Sequence, residues 1–172
     1  MNGTRFLLLT VVVLLIQLFV AEFINVHHML YIAVTLLPVM ILPYRYNRSV
    51  AMLIALAIGL LTDLSYDGVP GLNAAALVAA AFFRDPLLNV TVSKSARETL
   101  SVPSPHTLGR GRFTLFTLLL YSLFFIFYIA LDNVLYFSFF YTFGRFILNV
   151  LANTAVMMIL ESTLLRGPFG GR

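Results

Sequence analysis

The chain has 172 residues, 60% of them apolar and only 10% charged, with a mean hydropathy of +0.96. Soluble domains run near 45–50% apolar and about 25% charged, so this composition excludes a soluble protein with a greasy patch and indicates a polytopic membrane protein of one domain, residues 1–172. The net charge of +4 sits in short gaps between apolar runs, where membrane orientation accounts for it better than nucleic acid does, and the absence of cysteine excludes disulfides and thiolate metal sites.

The first element is residues 6–24, an apolar run behind Arg5 that imitates a signal peptide. A cleavage site should end in small residues, whereas Phe19 puts a large ring there, so the run reads as an uncleaved membrane helix. Crossing roughly 30 Å of hydrocarbon takes about 20 helical residues. Residues 29–44 make a short second span interrupted by Pro38, tolerable where neighbours satisfy the freed carbonyl. Residues 49–64 and 72–88 are the third and fourth spans, short enough that a re-entrant hairpin is the alternative. A polar loop, residues 93–112, precedes the fifth and sixth spans at 113–131 and 139–165. The expectation is an all-α bundle of six transmembrane helices.

The charges orient it. Six spans place both termini on one side with every Lys and Arg except Arg145, one of eleven. Basic loops stay in the cytoplasm, so both termini are expected there, in a bacterial inner (cytoplasmic) membrane. Glu22, Asp67 and Asp132 then lie outside, with Asp63 near the outer end of the third helix.

The turn between the third and fourth spans holds the densest chemistry. Ala55, Gly59 and Asp63 follow at i, i+4, i+8 on one helix face. Across the turn, Ala75 and Ala79 share one face, and Asn73, Ala76 and Ala80 another. Small residues four apart let helices approach closely in lipid, while Gly68, Pro70 and Gly71 suit a tight turn. Asp67 reads as a solvated turn residue. Asp63, on a bundle-facing stripe, must find a donor or stay protonated, and Asn73 or the turn amides are at hand. A helix cap or turn anchor is the favoured role, with interaction or transport as the alternative. Replacing Asp63 by Asn is expected to keep shape and hydrogen bonds while removing the charge.

The stretch "YIAVTLLPVMILPYRYNRSVAMLIALAIGLLTDLSYDGVPGLNAAALVAAAFFRDPLL" resembles the rod shape-determining protein MreD family, especially its Bacteroidetes-type members. The matching features are a second helix ending at Pro43, the G-L-x-x-D run from Gly59 to Asp63, the G-L-[HN]-A-A-A run from Gly71, and the Arg84 to Pro86 exit. Asn73 stands where His is common, and Asp85 intrudes between Arg84 and Pro86. The likeness covers residues 29–90, and the rest agrees only in hydropathy. It implies a fold similar to the S component of energy-coupling-factor vitamin transporters. It also implies a non-enzymatic scaffold of cell-wall elongation, regulating cell shape and peptidoglycan synthesis. The implied partners are an MreC-like single-span periplasmic protein and, directly or through it, an MreB-like filament and a RodA–penicillin-binding-protein synthase. No catalytic or cofactor-binding residue is implied.

The residues offer little chemistry beyond this. His27 and His28 are adjacent and poorly placed for joint ligation, since catalytic zinc wants three spaced ligands. Asp63 and Asp67 lie on one segment, and no second helix offers a carboxylate to complete a dyad. Ser65, Ser93 and Ser104 lack a nucleophile-elbow context. Lys94, Arg97, Arg110 and Arg112 fit topology retention and contact with anionic membrane lipid, with cytoplasmic docking through Arg110 and Arg112 as the alternative. Arg145 can snorkel or pair with Asp132 or Asp63, and Glu161 with Arg166 or Arg48. Tyr44, Tyr46, Tyr136 and Tyr141 suit an interfacial belt, and the phenylalanines of the last two spans suit packing or lipid. The competing functional class is a substrate-binding, S-component-like transporter subunit with a pocket near Asp63, Asp67 and Asn73.

Overall fold

A computed structural model describes residues 3–23, 29–43, 46–65, 69–91, 103–132 and 138–164. The described residues form helices and connecting segments without strands assigned by pairing. In chain order these are α1 (Gly3–Phe23), α2 (Leu36–Met40), α3 (Arg48–Leu64), α4 (Leu72–Thr91), α5 (Pro105–Leu108), α6 (Arg110–Asp132) and α7 (Phe139–Leu164). Four of them, α1, α4, α6 and α7, are long and apolar enough to cross a membrane. The chain is therefore a helical bundle of multi-pass character, and among the described residues four helices have the length and hydropathy of a full span, where six were expected.

The largest departure is residues 29–44. Hydropathy suggests a helix there, yet residues 29–35 run without helix, and α2 is a single five-residue stretch containing Pro38. Every residue from Tyr31 to Pro43 is buried. An apolar run with no polar face belongs in an interior, and periodicity alone cannot separate a buried helix from a buried extended segment. The third span, α3, has 17 residues and reaches about 25 Å at 1.5 Å per residue.

Smaller corrections follow the same logic. The fourth helix, expected to end near residue 88, runs through Pro86 to Thr91. The expected loop at 93–112 contains α5, and Arg110 and Arg112 stand exposed in the first turn of α6. Residues 92–102, with Lys94 and Arg97, lie outside the described set, as do His27, His28, Tyr44, Asp67, Tyr136 and Arg166.

Packing centres on α4, which lies between α3 and α6. The aromatic face of α6 fills the middle: Phe113, Phe116, Tyr121, Phe124 and Phe125 are fully buried. Its rings stack on one another, and Tyr128 continues the stack onto Tyr31 with centroids 4.8 Å apart. On α7 the phenylalanines behave oppositely, with Phe139, Phe140 and Phe143 exposed. The helix α1 touches α2 and α3 lightly and leaves Leu7, Leu15 and Phe19 outside.

Candidate functional site: a capped hairpin joined to a clamped strand

Asp63 sits at the last turn of α3 and faces the start of α4. The first N–H groups of any helix lack intrahelical partners, and a carboxylate there also meets the positive end of the helix dipole. Asp63 takes up this role from a neighbouring helix. Its Oδ2 accepts the backbone N–H of Gly71 and of Ala74, both at 3.1 Å. Its Oδ1 accepts the backbone N–H and the Nδ2 of Asn73, both at 3.0 Å. Gly71 precedes the helix with φ +88, a left-handed conformation that glycine adopts without steric cost. The expected turn anchor is thus present, partnered by Asn73 and the turn amides.

One expectation about this residue fails. All four partners of Asp63 are donors, so an asparagine would turn its own NH₂ against two of them. Asp63→Asn cannot preserve the hydrogen bonds.

The hairpin below the cap is held by contact between backbones. A Cβ added to Gly59 would collide with the Ala74 Cα and lie 2.7 Å from its nitrogen. Such an approach is possible only because Gly59 has no side chain. Ala55 and Gly59 are buried as anticipated, together with Ala51, Ile58 and Thr62. On α4 the packed face runs through Asn73, Ala74, Ala76, Leu77, Ala80 and Ala81. The pairing of Ala75 with Ala79 is not the interface, since Ala75 is exposed and Ala79 half-buried.

Asn73 carries the site inward. While its Nδ2 donates to Asp63, its Oδ1 accepts the Tyr31 hydroxyl at 2.8 Å. The position needs one donor and one acceptor on a short rigid side chain. A neutral imidazole offers the same pair.

Tyr31 belongs to the non-helical segment, whose backbone groups would be costly if left unpaired in an apolar interior. Side-chain amides supply the partners. Asn149 Oδ1 accepts the Tyr31 N–H and its Nδ2 donates to the Met29 carbonyl, each at 2.7 Å. One turn along α7, Asn153 Oδ1 accepts the Ala33 N–H at 2.7 Å and its Nδ2 donates to the Tyr31 carbonyl at 2.8 Å. On the opposite edge, Gln17 of α1 donates to the Ile32 carbonyl at 3.0 Å and accepts the Val34 N–H at 2.7 Å. Tyr121 of α6 donates to the Ala33 carbonyl at 3.0 Å. Alternate residues bond to opposite sides, the alternation of an extended strand. Three carboxamides stand in for neighbouring strands.

Gln17, Asn149 and Asn153 are all buried, and sequence reasoning passed over each of them. The signal was available: three carboxamides within apolar spans, two of them four residues apart, on one helix face.

The other motif residues gather at the far end of α4. Arg84, 1% exposed, donates through Nη2 to the Leu42 carbonyl beside Pro43 and through Nη1 to Asp85 at 3.3 Å. Asp85 is thus a partner of Arg84 and not merely an insertion before Pro86. Arg145 is buried and pairs with Asp132 at 2.6 Å, the first of the two carboxylates anticipated for it. Arg48 lies over the Phe82 ring, 4.6 Å from its centroid. Glu161 is buried near the end of α7.

No family model, curated protein or solved structure matches this chain.

Proposed function

We propose that this protein is a non-enzymatic scaffold of the inner membrane, resembling MreD and acting through protein–protein contacts in cell-wall elongation. One observation carries the reading beyond the sequence resemblance. The motif residues Gly59, Asp63, Gly71 and Asn73 meet in one built unit, and their polar atoms are spent on fastening α3, α4 and the strand together. Arg84 likewise fastens α4 to the Leu42 carbonyl, next in sequence to Pro43. A pattern whose members fasten helices supports a role in presenting a fixed surface. In this reading both termini are cytoplasmic, and an MreC-like single-span protein lays its membrane helix against the bundle. An MreB-like filament and a RodA–penicillin-binding-protein synthase join directly or through that partner.

Affinity purification from native membranes in mild detergent, followed by mass spectrometry, tests this. Recovery of a single-span coiled-coil periplasmic protein with wall synthases is the expected result. Recovery of paired ATPases would overturn it in favour of a substrate-binding subunit of the S-component type. Reversing Arg110 and Arg112 to Glu separates their two roles: lost partner binding with normal insertion supports docking, whereas misinsertion supports topology retention alone.

A further inference from the structure

Between α1, the strand and the last turn of α3 lies a cavity of about 200 Å³. In its wall Leu18 of α1 and Leu61 of α3 are 42% and 51% exposed, and Ser65 is exposed as well. Most of the wall is aliphatic. Four polar side chains interrupt it: Gln17, Tyr31, Thr62 and Ser65. A dry apolar cavity of about 150 Å³ holds a molecule the size of benzene, so this one is large enough for a small ring or a short branched chain.

The hydrogen bonds define what such a molecule should carry. Thr62 spends its hydroxyl proton on the Ile58 carbonyl at 2.9 Å, and Ser65 spends its own on the Leu61 carbonyl at 2.7 Å. Each oxygen keeps lone pairs and has no second proton to give. Thr62 in the last turn of α3 and Ser65, which caps its end, are three residues apart, and the two hydroxyls are neighbours on that surface. Among the described residues no carboxylate or basic side chain lines the cavity, and the nearby Asp63 carboxylate is occupied by four donors from the α4 start. That lining suits an uncharged ligand.

We propose that this lateral cavity binds a small uncharged molecule with an apolar body and a hydrogen-bond-donating hydroxyl, received by Thr62 and Ser65 and entering from the lipid between α1 and α3. The site is read from the cavity alone, and it stands whether the chain is a scaffold or a transporter subunit. Because Gln17 and Tyr31 form part of the wall and also hold the strand, occupancy bears directly on the clamped segment.

Fluorine NMR of the full-length protein in phosphatidylcholine nanodiscs tests this with 4-fluorophenol as probe and 4-fluoroanisole as its match without the O–H. The expected result is a saturable shift for 4-fluorophenol beyond that in empty nanodiscs. Loss of one neutral hydrogen bond should weaken binding about fivefold, both for the anisole and for Thr62→Val with the phenol. Ala21→Phe, which fills the cavity, should abolish the saturable component. A shift equal to that of empty nanodiscs overturns the proposal. Equal binding of phenol and anisole overturns it too, because the cavity then takes any apolar molecule or an acyl chain. Should Ala21→Phe fail to fold, Thr62→Val and Ser65→Ala against the two probes decide the matter.

Discussion

The α3–α4 hairpin and the extended segment at residues 31–33, called the strand here for its alternating bonds, solve the same problem in opposite ways. In the hairpin, a missing side chain at Gly59 lets one helix backbone press on another, and a single carboxylate closes the end. In the strand, side chains from α1, α6 and α7 bond the backbone groups of residues 31 to 34. The first region depends on what is absent from a position, the second on what three amides add. Substitutions should therefore injure them differently: the hairpin fails when anything is added, the strand when anything polar is removed.

The largest effect should come from Asn149→Leu with Asn153→Leu. The pair leaves four backbone groups of residues 29, 31 and 33 without their partners, at about 1–3 kcal/mol each where nothing else replaces them. A loss of roughly 4 kcal/mol or more is expected in denaturant titrations of the detergent-solubilised protein. A loss below about 1 kcal/mol would mean that the strand finds other partners and that the amides are not its clamp.

Asp63→Asn should cost about 2 kcal/mol, close to Asp63→Ala, because it faces two donors with a donor of its own. Full stability of the Asn variant would refute the four-donor geometry. Gly59→Ala should cost roughly 1–3 kcal/mol through overpacking. Spin labels on cysteines introduced at the exposed positions Leu60 and Ala75 should report a wider α3–α4 separation, and the natural lack of cysteine makes this labelling direct. An unchanged distance would move the close contact elsewhere.

Asn73→His should stay within about 1 kcal/mol of the parent, whereas Asn73→Leu should lose about 1–2 kcal/mol by stranding the Tyr31 hydroxyl and one Asp63 lone pair. Equal losses would show that the donor–acceptor pair at this position is irrelevant. The smallest effect belongs to Arg145→Gln, which breaks the Asp132 pair. With Asp132 side chain 28% exposed, that pair should contribute at most about 1 kcal/mol and weaken with added salt.

The hairpin was legible in the sequence and the strand was not, for a physical reason. Gly59, Asp63, Gly71 and Asn73 lie within fifteen residues, and helix periodicity with capping chemistry brings them together locally. The strand's partners lie 15 to 122 residues away, and its apolar residues satisfy the hydropathy of a helix equally well. A proline and a short length were the only local hints. The choice of face on α4 also escaped, since Ala74 and Ala75 are identical in chemistry. Only contact with Gly59 distinguishes them. For Arg145, two carboxylates were equally open until the α6–α7 end placed Asp132 beside it.

The clamp also sets an order in time. Gln17 is synthesised before the strand it holds, so one edge of the segment can be satisfied as soon as it leaves the ribosome. The other edge waits for Asn149 and Asn153, about 120 residues later. At roughly 5–20 residues per second, that wait lasts about 6–24 s. During it, residues 29–33 hold unpaired amides at membrane depth or keep a helix that must later unwind. A nascent chain halted before α7 should therefore carry this segment in a different conformation from the finished protein. A helix made about 120 residues later completes an early part of the fold.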